Sequence, residues 1–197
     1  MGVKLVSASA GSVEIVAPAT ALNYTATLPT GSGTLVINNV NSSIVSGTVQ
    51  PSTAGTSIDF TSIPSWAKRI TVMCSALSTN GTSNPIIQLG TSGGVQATSY
   101  SGSVWLANTT NTLNSTGFFI SPTVAAATVL ESIVTLCLLN SSTGLWVASV
   151  VSSQSNSAAG IVGSGSKTLS GTLDRIRITT VNGTDVFDAG SINILYE

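Results

Sequence analysis

The sequence predicts an all-β protein, an antiparallel β-sandwich or jelly roll, on three observations. Val, Ile and Thr, which pack well on a pleated sheet, recur throughout the 197 residues. Turn residues separate short apolar runs at close intervals, as in sandwiches and jelly rolls rather than parallel sheets with crossover helices. No stretch keeps a helical period with Glu, Lys and Arg on one face.

The first 40 residues are predicted to form a separate attachment or stalk segment. They contain three short strand patterns, at Ser12–Val16, Tyr24–Leu28 and Thr34–Ile37. Strands this short cannot bury a core alone. We therefore expect residues 1–40 to dock on a partner protein or on symmetry mates.

Residues 41–56 contain Asn-Ser-Ser, Ser-Gly and Gln-Pro-Ser-Thr-Ala-Gly, which is typical of a linker. The body is expected to occupy residues 57–197 and to begin with the run Ser57–Phe60. Its further predicted strands are Arg69–Leu77, Ile86–Gly90, Ser103–Ala107, Gly117–Ile120, Thr128–Leu139, Leu145–Val151, Ala158–Val162, Leu173–Val181 and Thr184–Tyr196.

Asn182-Gly183 predicts a two-residue hairpin, because both turn positions favour a positive φ. The resulting register places Ile178 opposite Phe187 and Arg177 opposite Asp188. Such cross-strand pairs stabilise a sheet by about 0.2–1 kcal/mol each. The side chains predicted to face the core are Ile176, Ile178 and Phe187.

Two further turns are predicted in the body. Asn80-Gly81 predicts a second hairpin, between Arg69–Leu77 and Ile86–Gly90, although Pro85 removes a hydrogen-bond donor from that ladder. Asn140–Gly144 predicts a third turn, between two strongly apolar strands.

The residue types argue against an enzyme and against a bound cofactor or metal ion. Histidine, the commonest general base and metal ligand, is absent. No nucleotide-binding or hydrolase motif occurs, and Cys74 and Cys137 sit in apolar runs as expected for buried thiols. Paired-carboxylate catalysis remains an alternative, because distant carboxylates can meet in a fold. The carboxylates are Glu14, Asp59, Glu131, Asp174, Asp185, Asp188 and Glu197.

Charge and hydropathy argue against nucleic-acid binding and membrane insertion. The six Lys and Arg residues are scattered, whereas nucleic-acid binding needs a concentrated positive surface. The apolar run Val124–Leu139 is shorter than the roughly 20 residues of a spanning helix and contains Glu131. No basic segment precedes an apolar run near the N-terminus, so we expect synthesis in the cytoplasm without export.

Low charge also predicts self-association. Charged residues make up 7% of the chain, against about 25% in an ordinary soluble domain. Little repulsion then opposes contact between copies. We expect the chain to bury much of its surface against copies of itself.

Tyr100 and Trp105 are the candidate receptor-binding residues. They flank a predicted Ser101-Gly102 turn, and an exposed aromatic ring among polar neighbours can stack on a sugar. The alternative is that both rings pack beneath a loop.

Two sets of short runs in the chain have a familiar pattern. In the body they are Ile58–Pro64, Lys68–Met73, Asn80–Ser83, Gln88–Gly90, Gly93-Gly94, Arg175–Arg177, Asn182–Asp185 and Gly190–Glu197. Near the N-terminus they are Ser12–Glu14, Ala17–Ala19, Tyr24–Pro29 and Gly33–Val36. The first set resembles a segment found in bacteriophage tail fibres and other tail-associated proteins, and the second is similar to short repeats of fibre stalks.

This resemblance implies a homotrimeric fibre in the virion, assembled in the bacterial cytoplasm. Residues 1–40 would attach it to a tail or baseplate protein, and the body would lie distally, where it could bind a host cell-surface glycan. A capsid decoration fibre and, less in keeping with the residue types, a polysaccharide depolymerase remain alternatives.

Overall fold

The computed structural model describes residues 44–107, 111–113 and 115–197, and these form two antiparallel sheets without a helix. The predicted all-β sandwich is thereby confirmed. The predicted segment 1–40 and its three strands lie outside the described residues. In chain order the strands are β1 (Val45–Ser46), β2 (Gln50–Pro51), β3 (Ser57–Phe60), β4 (Arg69–Thr79), β5 (Pro85–Thr91), β6 (Gly94–Val95), β7 (Tyr100–Leu106), β8 (Asn111–Leu113), β9 (Phe118–Phe119), β10 (Leu130–Asn140), β11 (Leu145–Gln154), β12 (Ala159–Thr168), β13 (Arg175–Thr180) and β14 (Phe187–Tyr196).

The large sheet has the strand order β1-β14-β4-β10-β11-β12-β7-β8, with β2 also paired to β14. Its long central strands alternate buried and more exposed residues, as expected for a sheet with one face on a core. The small sheet has the order β3-β13-β5-β6, with β9 paired to β5. The predicted turn Asn140–Gly144 is confirmed, because β10 and β11 pair directly on either side of it.

The core lies between the two sheets. Leu136 and Val150 contribute from the large sheet, and Ile87 contributes from the small one. Ile176, Ile178 and Phe187 are completely buried in the same core, which confirms their predicted orientation. Large apolar side chains from both sheets therefore hold the sandwich together.

The predicted hairpin at Asn182-Gly183 is wrong, because its two strands belong to different sheets. β13 pairs with β3 and β5, whereas β14 pairs with β4 in the large sheet. Arg177 consequently lies opposite Asp59 rather than Asp188. The Asn182 side chain explains the difference, since its Oδ1 accepts hydrogen bonds from the backbone N–H groups of Thr184 and Asp185. These bonds extend the turn and carry the chain from one sheet to the other.

The predicted hairpin at Asn80-Gly81 is also wrong, for a related reason. β4 lies in the large sheet and β5 in the small one, so this turn is a second corner between the sheets. Asn80 Oδ1 accepts a hydrogen bond from Val186 N, and Asp185 Oδ2 accepts one from Ser83 N. The two corners thus fasten each other at one end of the sandwich.

The described part of the predicted linker, from Ile44 onward, contributes two short strands instead. Val45 pairs with Tyr196 through β1, and Gln50 pairs with Ile192 through β2. The edge of β14 provides hydrogen-bond partners for this chain, which composition alone does not reveal. Residues 44–56 therefore belong to the body.

Candidate functional site

Tyr100 is a buried structural residue, only 6% exposed. Its hydroxyl accepts a hydrogen bond from Leu89 N at 2.7 Å and donates one to the carbonyl oxygen of Gln96 at 2.9 Å. Its ring meets Phe118 edge-on, with centroids 5.0 Å apart, and lies 5.4 Å from Lys167 Nζ. Burial raises the pKa of the phenol. This ring is not accessible for stacking on a sugar.

Trp105 points to the opposite face of the sheet and is 48% exposed. The predicted turn at Ser101-Gly102 is wrong, because both residues lie within the continuous ladder of β7 and β12. Tyr100 and Trp105 are five residues apart on one strand, so their side chains alternate to opposite sides. The structure therefore separates the two candidate receptor-binding residues, and of the two only Trp105 is accessible.

Trp105 ends a row of apolar side chains that crosses the outer face of the large sheet, the face turned away from the core. Each member is the direct cross-strand neighbour of the next, on the five strands β4, β10, β11, β12 and β7. The three middle residues of the row are at least half exposed: Ile133 at 56%, Val151 at 59% and Val162 at 50%. We call this set the apolar row; its members are Met73, Ile133, Val151, Val162 and Trp105.

The sequence contains a pattern that indicates the apolar row, and this pattern differs from the simple alternation of apolar and polar residues along a strand. Each member stands beside a buried apolar residue in the chain, so each strand carries an apolar doublet. One residue of a doublet faces the core and the other faces outward, because side chains alternate along a strand. The doublets are Val72-Met73, Ile133-Val134, Val150-Val151, Ile161-Val162 and Val104-Trp105.

Rows of small polar residues flank the apolar row. On one side, the neighbouring row consists entirely of hydroxyl side chains in direct register: Thr71, Thr135, Ser149, Ser164 and Ser103. On the other side, Glu131, Ser153 and Gly160 are in register. Glu131 is the one charged side chain in these three rows, and its Oε1 accepts a hydrogen bond from Ala76 N at 3.0 Å. This surface is apolar along its middle and carries little charge.

A groove of about 400 Å³ adjoins the apolar row between β14, β4 and β10. Val49, 58% exposed, lines it together with Met73, Glu131, Ile133 and Asn193. The apolar surface thus extends from Trp105 across the sheet to the segment between β1 and β2.

A second depression, of about 290 Å³, lies at another position, between the turn Asn140–Gly144 and the loop Leu169–Leu173. Lys68 and Trp146 contribute to its lining, and the remaining residues are mainly Ser, Thr and Gly. Near the C-terminus, Trp66 is 51% exposed and its ring centroid lies 5.5 Å from that of Tyr196. The sequence did not single out either feature.

Five of the six carboxylate side chains in the described residues take part in structural contacts, and the sixth, Asp188, is exposed. Asp59 bonds Arg177, Asp174 bonds Arg175, and Glu197 forms an ion pair with Arg69. Asp185 Oδ1 accepts a hydrogen bond from the side chain of Asn182. Over residues 44–107, 111–113 and 115–197, no three or more Cys, Asp or Glu side chains are grouped so that they could hold a metal ion.

The two cysteines are free thiols in different environments. Cys74 is buried, whereas Cys137 is half-buried. Burial, with a smaller contribution from Glu131, raises the pKa of the Cys74 thiol from 9.0 to about 12. Cys74 is therefore protonated and unreactive at neutral pH.

In the part of the chain that the structure describes, no helix has the length and apolar character needed to cross a membrane.

Comparison of the chain with protein-family models, curated proteins and solved structures found no significant match.

Proposed function

We propose that the chain is a structural protein of a bacteriophage virion, a tail fibre that works as a homotrimer. The structural part of this proposal rests on the positions of the charged side chains in the chain. The pairs Asp59–Arg177 and Asp174–Arg175, and the Asp185 contacts at the sheet corner, all fasten strands or turns. These carboxylates contribute to the framework of the sandwich, and Glu131, which lines the groove beside the apolar row, accepts a hydrogen bond from Ala76 N.

The fibre and its symmetry rest on the sequence resemblance, and the physical properties of the chain agree with them. With 7% charged residues, the surface offers little electrostatic resistance to self-association. Residues 1–40 attach the fibre to a tail or baseplate protein, and the body projects outward. In this arrangement the body is the part available to a host cell-surface glycan.

The experiment that tests this function locates the chain on particles. Purified virions are analysed by mass spectrometry and labelled with gold-conjugated antibodies against the body. Label at the tail is the expected result. Label distributed over the capsid supports the decoration-fibre alternative, and absence of the chain from purified particles refutes a virion role.

The depolymerase alternative is tested separately. Purified protein is incubated with host capsule and lipopolysaccharide, and newly formed reducing ends are measured. We expect no release above that of heat-denatured protein. Release that is lost in a single Asp→Asn or Glu→Gln variant would replace the structural proposal by an enzymatic one.

A further inference from the structure

We propose that the outer face of the large sheet, centred on the apolar row, is the surface through which one copy of this chain binds the next. This inference rests on the proposed homo-oligomer and identifies the part of the body that forms it. The apolar row spans five adjacent strands without interruption, from Met73 to Trp105. Contiguous exposed apolar surface of this kind marks interaction sites in soluble proteins.

The size of the face fits a stable contact between copies. The five strands β4, β10, β11, β12 and β7 have 7 to 11 residues each. At ordinary strand spacing and rise they cover about 24 Å by 30 Å, or about 700 Å². A stable protein interface buries about 800 Å² on each partner, and in a trimer the roughly 700 Å² of this face would be shared between two neighbours. The groove beside Val49 adds apolar surface at one end.

The charge of the face favours a second copy over a different partner. An interface between identical chains places like charges near each other unless the face carries few of them. The three central rows contain one charged side chain, Glu131, whose carboxylate accepts a hydrogen bond from Ala76 N. The next row adds Arg69, which forms an ion pair with Glu197. A strongly charged partner would find little to pair with here. Two copies can meet through apolar side chains flanked by hydroxyl groups.

The number of copies that meet at this face is taken from the homotrimer of the proposed function. In a cyclic trimer, each copy turns its outer face towards the common axis, and the three apolar rows meet there. The contacts then close instead of continuing into a filament.

The test uses the full chain and two matched variants, in each of which an exposed valine is replaced by aspartate. Val151→Asp places a charge in the middle of the apolar row. Val181→Asp makes the same change at a comparably exposed valine in the corner after β13, at 46% exposure. The mass of each protein is measured by light scattering over a dilution series, and folding is checked by circular dichroism.

We expect the wild type and Val181→Asp to have three times the chain mass of 19.8 kDa. Val151→Asp should be a folded monomer, its self-association weakened about 100-fold because the charge would be buried without a partner. A folded Val151→Asp protein that stays trimeric overturns the proposed face and leaves the trimer standing. A monomeric wild type overturns the face and the homotrimer together, whereas a wild-type dimer dissociated by Val151→Asp overturns only the trimer number.

A second variant covers the case in which an aspartate disturbs the strand. The double change Ile133→Thr with Val151→Thr keeps β-branched side chains, which suit a strand, and removes apolar surface. We expect self-association to weaken about tenfold, with Val181→Thr as the unaffected control. An unchanged association constant in the folded double variant contradicts the proposed face.

Discussion

Arg177 and Asp59 are direct cross-strand neighbours on β13 and β3, and they form a bidentate salt bridge. Arg177 Nε and Nη2 each lie 2.7 Å from a different carboxylate oxygen of Asp59. The contact ties the edge strand of the small sheet to its neighbour. Asp188, the partner predicted from the sequence, lies on β14 in the other sheet.

Loss of this salt bridge should lower stability modestly. Both side chains are about one-third exposed, so solvent screens the pair, and we expect Asp59→Asn to cost about 0.5–1 kcal/mol. Urea denaturation measures the change. Asp188→Asn should alter stability by less than about 0.3 kcal/mol. Equal effects of the two substitutions would contradict the assigned pairing.

Removal of the Tyr100 hydroxyl should destabilise the body more strongly. Tyr100→Phe leaves Leu89 N and the Gln96 carbonyl without their partner, and we expect a loss of about 1–3 kcal/mol in the free energy of unfolding. Tyr196→Phe is the matched control, because the described residues give that hydroxyl no hydrogen bond; its effect should stay within about 0.5 kcal/mol. Thermal denaturation compares the two. A neutral Tyr100→Phe would argue against a structural role for this hydroxyl.

A methyl group at Gly190 should strain the bulged strand β14. Gly190 has a φ of +98°, and a Cβ there would collide with the carbonyl oxygens of Ser75 and Ala76. We expect Gly190→Ala to destabilise by about 2–4 kcal/mol. Gly160→Ala is the control, because a Cβ at Gly160 meets no atom within 4 Å. Chemical denaturation should separate these variants, and similar midpoints would show that β14 tolerates the side chain.

The thiols should differ in reactivity. In the native protein we expect Cys137 to react with a thiol reagent, while Cys74 reacts only after unfolding. Mass spectrometry of the labelled peptides distinguishes the two sites. Rapid native labelling of Cys74 would show that its strand opens readily.

Stability should also fall at alkaline pH because of Cys74. The folded thiol keeps its proton up to a pKa of about 12, whereas the unfolded thiol loses it near 9.0. The unfolded state therefore binds fewer protons above pH 9.0, and this stabilising contribution, complete below that pH, declines between 9.0 and about 12. The slope reaches at most about 1.4 kcal/mol per pH unit for one thiol.

Cys74→Ala is the control for this pH dependence. Its stability should decline less steeply from pH 9.0 upward, although Tyr100, whose pKa burial also raises, still contributes at higher pH. Urea denaturation at a series of pH values measures both slopes. Identical slopes in the wild type and Cys74→Ala would contradict the assignment to Cys74.

The strand pattern was predictable because alternation is a local property of the chain. The runs around Ile176, Ile178 and Phe187 indicate strands with one face buried, and the structure buries all three side chains. The turn predicted at Asn140–Gly144 likewise forms, and the strands on either side of it, β10 and β11, pair directly. In these elements local preference and tertiary packing agree.

Pairing across the two sheets was not predictable in the same way. Asn182-Gly183 favours a hairpin, but the side-chain oxygens of Asn182 and Asp185 accept backbone hydrogen bonds that extend the turn into a corner. β13 and β14 then pair with different neighbours. The apolar row was not predictable for the same reason. Val72-Met73 and Val150-Val151 indicate apolar residues on both sides of a strand, yet only the register of neighbouring strands joins the outward members into one row.

The all-β class, many of the strands and the inward orientation of the core residues follow from the sequence, because they depend on side-chain alternation within short segments. The contact of Arg177 with Asp59, the burial of Tyr100, the exposure of Trp105 and the continuity of the apolar row follow from the fold alone. Each of these depends on which strands lie side by side. That choice is made by packing and hydrogen bonding between residues far apart in the chain, which no local pattern records.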